Sequence, residues 1–334
     1  MIRLAILSMA SVLRLLRIGM TAVAVMAGTS VPVVAQQPGR LIKIIVPQTP
    51  GTGPDILARL IGAELQKQLG QSVIVINRTG ASGNIGTQVA AQAGRDGNTL
   101  MIASSPSFVT NTYLFKNLPY DPRTDFAPII EIAHGSIALV VHPSVPVASA
   151  PEFLEYIRKR PGQINYGSPG TGTPHHLVME LFKFRTRTNL VHVPYRGTAG
   201  ALTDLLGGHV SAMFLPTHVA LPLAKDGRIR ILAVASGKRV LAAPDVATLG
   251  ELGISGVEFD SWFGLVAPAG TSPETVARLN TIVNEILRSP HIIQQLGQQG
   301  LATVGGPPER LRTSIENDFA EWPVVFQEAG IKAE

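Results

Sequence analysis

The sequence predicts an α/β protein of two lobes, and three observations carry that expectation. Short β-branched runs alternate with amphipathic runs of helical period along most of the chain. These units fall into two groups, over residues 41–104 and 137–234, followed by a mostly helical C-terminal block. A length of 334 residues suffices for two domains with full hydrophobic cores.

Taken in order, Leu41–Val46 reads as a strand bounded by Pro and Gly. From Pro54 the period changes: Ile56, Leu57, Leu60, Ile61, Leu65 and Leu69 recur at helical spacing, with Pro54 at the first helical position and Gly70 as the stop. Val73–Ile76 is the next strand, Ile85, Val89, Ala90 and Ala93 mark a second helix, and Leu100–Ala103 a third strand. This β-α-β-α-β run implies a parallel sheet with right-handed crossovers. The alternation resumes with a strand at Ile137–Val141 and a helix capped by Ser149. A strand at Ile164–Tyr166 precedes a helix opened by Thr173-Pro174, then come a strand at Leu190–Val193 and a helix over Ala201–Leu206. Strands follow at Val210–Leu215, Ile229–Val234 and Trp262–Val266; Ser272 caps a helix to Leu287, and Pro308–Phe326 is mostly helical. If this last block packs back on the first group, the chain crosses between lobes near 136–140 and again near 258–262.

The net charge of +5 does not indicate nucleic acid. Arg3, Arg14 and Arg17 lie in the first 35 residues, which hold no acid, leaving 25 basic against 23 acidic side chains. No Lys/Arg run interleaved with aromatics tracks phosphates. Arg14 and Arg17 instead open an export-type leader, with a short apolar stretch from Ile18 to Ala27 and small residues up to Ala35. That stretch is well under the roughly 20 residues of a membrane span. Cleavage is expected after Ala35, an uncleaved anchor being the alternative. Absence of cysteine excludes disulfides, thiolate metal sites and a lipid-modified N-terminal cysteine.

Three Gly-rich turns sit between a strand and a helix: Pro47–Asp55, Asn77–Asn84 and Gly167–Pro174. Such a turn leaves unpaired N–H groups that grip an anion without a charged side chain. In the first, the N–H groups of roughly Thr52 to Asp55 lie at a helix N-terminus, with Thr49 and Thr52 adding hydroxyls. Asp55 either caps the helix or accepts a proton from a ligand. The third adds Ser168, Thr171 and Thr173, so two facing turns can hold the two ends of a small polar ligand. Ser104, Ser105 and Ser107 follow a strand at the carboxyl end, where doubly wound sheets place ligands. Arg196 either forks onto a ligand carboxylate or ties its loop down. No turn reads as a nucleotide motif or a serine-hydrolase elbow. His175, His176 and His192 read as structural, because adjacent helical histidines point about 100° apart and no acidic metal partner accompanies them. Trp262 and Phe263 read as core or hinge packing.

Further motifs run through the chain in a consistent order. Ile45-Val46-Pro47…Pro50-Gly51-Thr52-Gly53-Pro54-Asp55, Asn77–Gly86, Asp96–Leu100, Leu118–Pro122 and Asp125-Phe126 come first. Asn165–Ser168 with Gly170 and Gly172, Val193–Gly197, Asp204–Gly208, Ala267–Thr271 and Gly330-Ile331-Lys332 complete the set. Together they resemble the tripartite tricarboxylate transporter receptors, the Bordetella uptake gene (Bug) proteins, over about residues 40–332.

That resemblance implies an extracytoplasmic solute receptor of the two-lobe periplasmic-binding-protein fold (type II-like), with two Rossmann-like lobes joined by a two-segment hinge. Its expected organisation is a signal peptide over 1–35, lobe 1 over 36–137 and 261–334, and lobe 2 over 138–260. It implies a small carboxylate held in the cleft and delivered to a membrane transporter of one large and one small subunit, with signalling to a membrane sensor kinase as the alternative. It implies a periplasmic monomer without catalysis, metal or cofactor. By motif, the ligand-binding residues would be Thr49, Gly51, Thr52, Gly53, Asp55, Ser82 and Gly83, faced by Ser168, Thr171, Gly172, Thr173 and Asp204. The family's first loop usually reads aromatic-Pro-Pro-Gly-Gly-Gly-Thr-Asp. Here Thr52 replaces a glycine, Pro54 removes an N–H, Ser82 stands where glycine is usual and Ser211 where Asp is usual. Ligand identity therefore does not transfer.

Overall fold

A computed structural model describes residues 41–328 and Gly330. The leader expected over 1–35, its cleavage after Ala35, the Ser107 side chain and the terminal Ile331-Lys332 motif lie outside what it describes. The first lobe begins β1 (Ile42–Val46), α1 (Gly53–Leu69), β2 (Val73–Asn77), α2 (Asn84–Ala91) and β3 (Thr99–Ser104). Helix α1 forms where the sequence predicts it. Pro54 and Asp55 occupy its first turn, Leu57, Ile61 and Leu65 are buried at a spacing of four, and Gly70 ends it in the left-handed conformation. β1 pairs in parallel with β2 and β3, the predicted sheet.

After an irregular helical segment and the short α3 (Asn111–Leu114) comes β4 (Phe126–Val141), sixteen residues long. The sequence reading saw only its last five. Nearly every position of β4 is buried, so no period of two appears, and Pro128 and Gly135 resemble breaks. The second lobe then runs α4 (Ala150–Arg158), β5 (Asn165–Ser168), α5 (Pro174–Thr186), β6 (Val191–Pro194), α6 (Thr198–Leu206), β7 (Ala212–Pro216), α7 (Thr217–Lys225) and β8 (Arg230–Val234). The chain ends with β9 (Asp260–Pro268), α8 (Pro273–Arg288), α9 (Pro290–Gln298), β10 (Leu301–Thr303) and α10 (Pro308–Glu328). Helices α7 and α9 and strand β10 were not read from the sequence.

β4 belongs to both sheets. Phe126–Ser136 pairs antiparallel with β9, which also pairs antiparallel with β3. Ile137–Val141 pairs antiparallel with β7 and runs against β8, while β5 lies parallel to β6 and β7. The switch falls between Ser136, opposite Asp260, and Ile137, opposite Pro216. Beside it the Ala235 N–H donates to the Ile137 carbonyl at 2.8 Å, and the Phe259 N–H donates to the Ala235 carbonyl at 2.7 Å. The two stretches where the sequence expects crossings therefore lie side by side. One buried cluster, including Met101, Phe108, Leu139, Phe182, Phe214 and Trp262, runs beneath both sheets.

Helix α2 approaches the turn after β1 at Gly86. A Cβ there would sit 2.9 Å from the Pro47 Cα and still closer to the Arg78 carbonyl oxygen. Both are backbone atoms with no side chain to yield. Gly86→Ala is expected to destabilise the fold by about 1–3 kcal/mol in urea unfolding; an unchanged midpoint would mean that the two turns are not packed this way.

Candidate ligand-binding site

The first turn is closed from within by Asp55, whose side chain is buried. Its Oδ2 accepts from the Gly51 N–H at 2.9 Å and from Arg59 Nε at 3.0 Å, while Oδ1 accepts from Asn77 Nδ2 at 3.0 Å. Burial pushes the carboxyl up, but Arg59, Gly51 and Asn77 outweigh it and leave it below the ordinary carboxylate value. The Asp55 side chain is thus turned inward, holding the loop. The Thr52 hydroxyl donates to the Thr49 carbonyl at 2.7 Å, and its N–H points at the same oxygen at 3.4 Å. Among the described residues the N–H groups of Gly53 and Asp55 have no partner and remain as free donors of the first turn of α1, Pro54 having none.

The second turn lies against the first. The Arg78 N–H donates to the Val46 carbonyl at 2.8 Å, and Asn77 Nδ2 to the Gln48 carbonyl at 3.1 Å. Ser82 adopts φ 54° and its carbonyl accepts from Asn111 Nδ2; the Gly83 N–H donates to the Gly80 carbonyl. At the end of β3 the serines diverge. Ser104 accepts from Gln48 Nε2 at 3.1 Å and stays with the first turn. Ser105 donates to Asp318 on α10 at 2.5 Å, an oxygen that also takes the Trp262 indole N–H at 2.9 Å.

In the third turn Ser168 is fully buried and hydrogen-bonded to His192 Nε2 at 2.7 Å, and its oxygen accepts from the Gly170 N–H at 3.2 Å. The Thr173 hydroxyl donates to the Gly170 carbonyl at 2.7 Å. Gly172, at φ 75°, donates its N–H to His176 Nδ1 at 3.1 Å and packs against the Leu114 side chain, leaving no room for a Cβ. Thr171 is exposed at the tip of the turn. His176 and His192 stack at 4.0 Å between ring centroids, beside Tyr166, which fits the structural role read for them. The Asp204 carboxylate accepts from the Tyr195 hydroxyl at 2.5 Å, while Arg196 is exposed on the loop after β6. That loop touches the third turn through the Gly197 N–H and the Pro169 carbonyl.

One histidine meets the first turn from the other side. A Cβ on Gly53 would lie 3.8 Å from the His218 ring and 3.3 Å from the Phe263 ring. His218 is the second residue of α7, and His175, the second residue of α5, is close enough to feel its charge. Both ring nitrogens of His175 are buried without a hydrogen-bond partner. The structure thus brings Gly53 and His218 together, ties Ser104 to Gln48 of the first turn, and gives Ser105, Ser168 and Asp204 partners elsewhere. His218 was missed in the sequence; its one signal was a histidine just inside a helix start after a strand. Among the described residues no cluster of three or more His, Asp or Glu is placed to hold a metal.

Two α/β sheets sharing one strand, with Gly-rich turns at the strand ends and helix starts meeting across them, define a two-lobe solute-binding protein of the periplasmic type. The model for the tripartite tricarboxylate transporter family receptor matches residues 57–331, and the chain belongs to that family, which is one of transporter receptors rather than enzymes. Protein BugT of Bordetella pertussis is 34% identical over 308 residues, covering 92% of this chain and 94% of its own. Rpa4515 of R. palustris, solved with adipate, is 38% identical with a TM-score of 0.84 over 89% of this chain and all of its own (100%). MatC of Rhodopseudomonas palustris, solved with bound malate, is 29% identical with a TM-score of 0.77 over 86% of this chain and 99% of its own.

Burial lowers His175, His176 and His218 from the ordinary 6.5 to about 4, with His218 adding to the effect on His175 and His192 to that on His176. Folding thus keeps these rings neutral. The stability tied to them is whole above pH 6.5 and is lost as pH falls from there toward 4. Unfolding free energy of the unliganded protein is expected to drop by at least about 1.4 kcal/mol per unit below pH 6. A flat profile from pH 7 to 4.5 would contradict the burial of these rings.

Proposed function

We propose that the protein is an extracytoplasmic receptor that binds a small dicarboxylate between its lobes and delivers it to the large and small subunits of a tripartite membrane transporter. In this reading the lobes are residues 36–137 with 261–334, and 138–260, and the receptor works as a monomer in the periplasm after loss of its leader. The observation that carries the reading is the meeting of helix starts at Gly53 and His218, with His175 near enough to His218 to feel its charge and the nearby Asp55 carboxylate already neutralised by Arg59. Each helix N-terminus presents about half a positive charge, and a carboxylate at such a point gains about 0.3–1 kcal/mol, more when partly buried. A site rich in such donors and poor in free acid selects an anion.

Within this reading the Gly53 and Asp55 amides and the polar groups of Thr49 and Ser104 contact one end of the acid. Thr171, Thr173 and Arg196 approach from the facing lobe as it closes. The Asp55 carboxylate, Ser105, Ser168 and Asp204 act by holding their loops, and Ser82 and Gly83 by shaping the second turn. Adipate in Rpa4515 and malate in MatC support a dicarboxylate ligand. Two carboxylates suit a cleft that carries donors on both sides, and closure then draws on ligand contacts that exist only when the lobes meet.

A thermal-shift screen of di- and tricarboxylates, acidic amino acids and aromatic acids tests the reading. A true ligand at 100 times its dissociation constant adds about 2.7 kcal/mol of stability, while its dimethyl ester adds none. A set in which no acid shifts the melt, or in which the ester works as well as the acid, would sink the proposal.

A further inference from the structure

Resting on that reading, we propose that His175 and His218 are ligand-binding residues that donate to one carboxylate of the bound acid, and that the acid brings a proton into the site with it. The geometry is the basis. Both residues stand at the second position of a helix, α5 and α7, that follows a strand of the second sheet. The His218 ring faces Gly53 at the start of α1, so the N-termini of α1 and α7 approach one region, and His175 at the start of α5 lies near enough to His218 to feel its charge. Both His175 nitrogens lie buried with no hydrogen-bond partner, although buried imidazole nitrogens are normally paired. A carboxylate entering there supplies the missing acceptor.

The charged groups of the surrounding elements are engaged elsewhere. On α1, Asp55 is paired with Arg59. On β4, Glu131 is paired with His134, and on β9, Asp260 faces that same His134. On α5, Glu180 is paired with Lys183 and lies 3.9 Å from His176 rather than His175. The titratable group that acts on His175 is His218, and His218 is shifted by burial alone. The rings therefore have no internal counter-ion among the described residues, and burial keeps them neutral at pH 7. A carboxylate placed against them favours the imidazolium form, so one ring takes a proton from solvent as the acid binds and releases it when the acid leaves. Affinity then falls as pH rises, by up to tenfold per unit for one proton taken up.

Calorimetry with adipate and with malate as probes decides the matter. Titrations of the wild type at pH 7 in phosphate and in Tris, whose ionisation enthalpies differ, measure protons taken up per ligand. Uptake of about half a proton or more is expected, with weaker binding at pH 8 than at pH 6. His175→Asn and His218→Asn, each confirmed folded by circular dichroism, are expected to bind at least tenfold more weakly and to lose the pH dependence. Folded variants that bind within twofold of wild type overturn the proposal while leaving the receptor reading intact. If the variants do not fold, the wild type decides: identical heats in the two buffers, with affinity flat from pH 6 to 8, overturn it. A wild type that binds neither probe removes the dicarboxylate reading, and this proposal falls with it.

Discussion

Strand β4 is hydrogen-bonded in two sheets at once, and the placement of every loop at the site follows from that. Its first eleven residues, Phe126–Ser136, lie against β9 and its last five against β7 and β8. No linker separates the sheets, so their relative position is set by one continuous backbone and by β9 beside it. The N–H and C=O groups of a strand must be paired along its whole length when it is buried. Both sheets are therefore held in register with β4, and the turns at their strand ends are carried along. The described residues, from Leu41 onward, fall in a single compact unit. The Ala235 bridge between Ile137 and Phe259 fastens the second passage beside the first.

Against that scaffold, the first turn is rigid by its own hydrogen bonds. Asp55 is a carboxylate beside the proposed anion site, where its charge would oppose an acid if it faced outward. Instead it is turned inward onto Gly51, Arg59 and Asn77, where it orders the loop and is itself neutralised. Ser168 does the same for the third turn by bonding back to His192, and His176 does so by accepting from Gly172. Side chains spend their hydrogen bonds on loop shape, while backbone donors at helix starts are left over.

The histidines fall into two populations that a linear reading merges. His176 and His192 are stacked on each other and bonded to the turn that they support. His175 is next to His176 in the chain, yet its ring points about a third of a turn around the helix, where it feels the charge of His218 instead. Spacing alone excluded a shared metal for the adjacent pair, and that argument holds. It says nothing about what each ring meets on its own side of the helix.

By itself the sequence determined the alternation of strands and helices, the position of α1 with its Pro start and Gly stop, the parallel first sheet and the family. These are local or cumulative properties: period, capping residues and a long series of short motifs in fixed order. Only the tertiary structure decided that β4 runs from Phe126, since a strand buried on both faces has no period to read. It also decided that Asp55, Ser105, Ser168 and Asp204 turn to protein partners, and that His218 faces Gly53 with His175, 43 residues earlier in the chain, near enough to feel its charge. Which way a side chain points from a loop depends on partners brought in by other elements, and one-dimensional spacing does not carry that information.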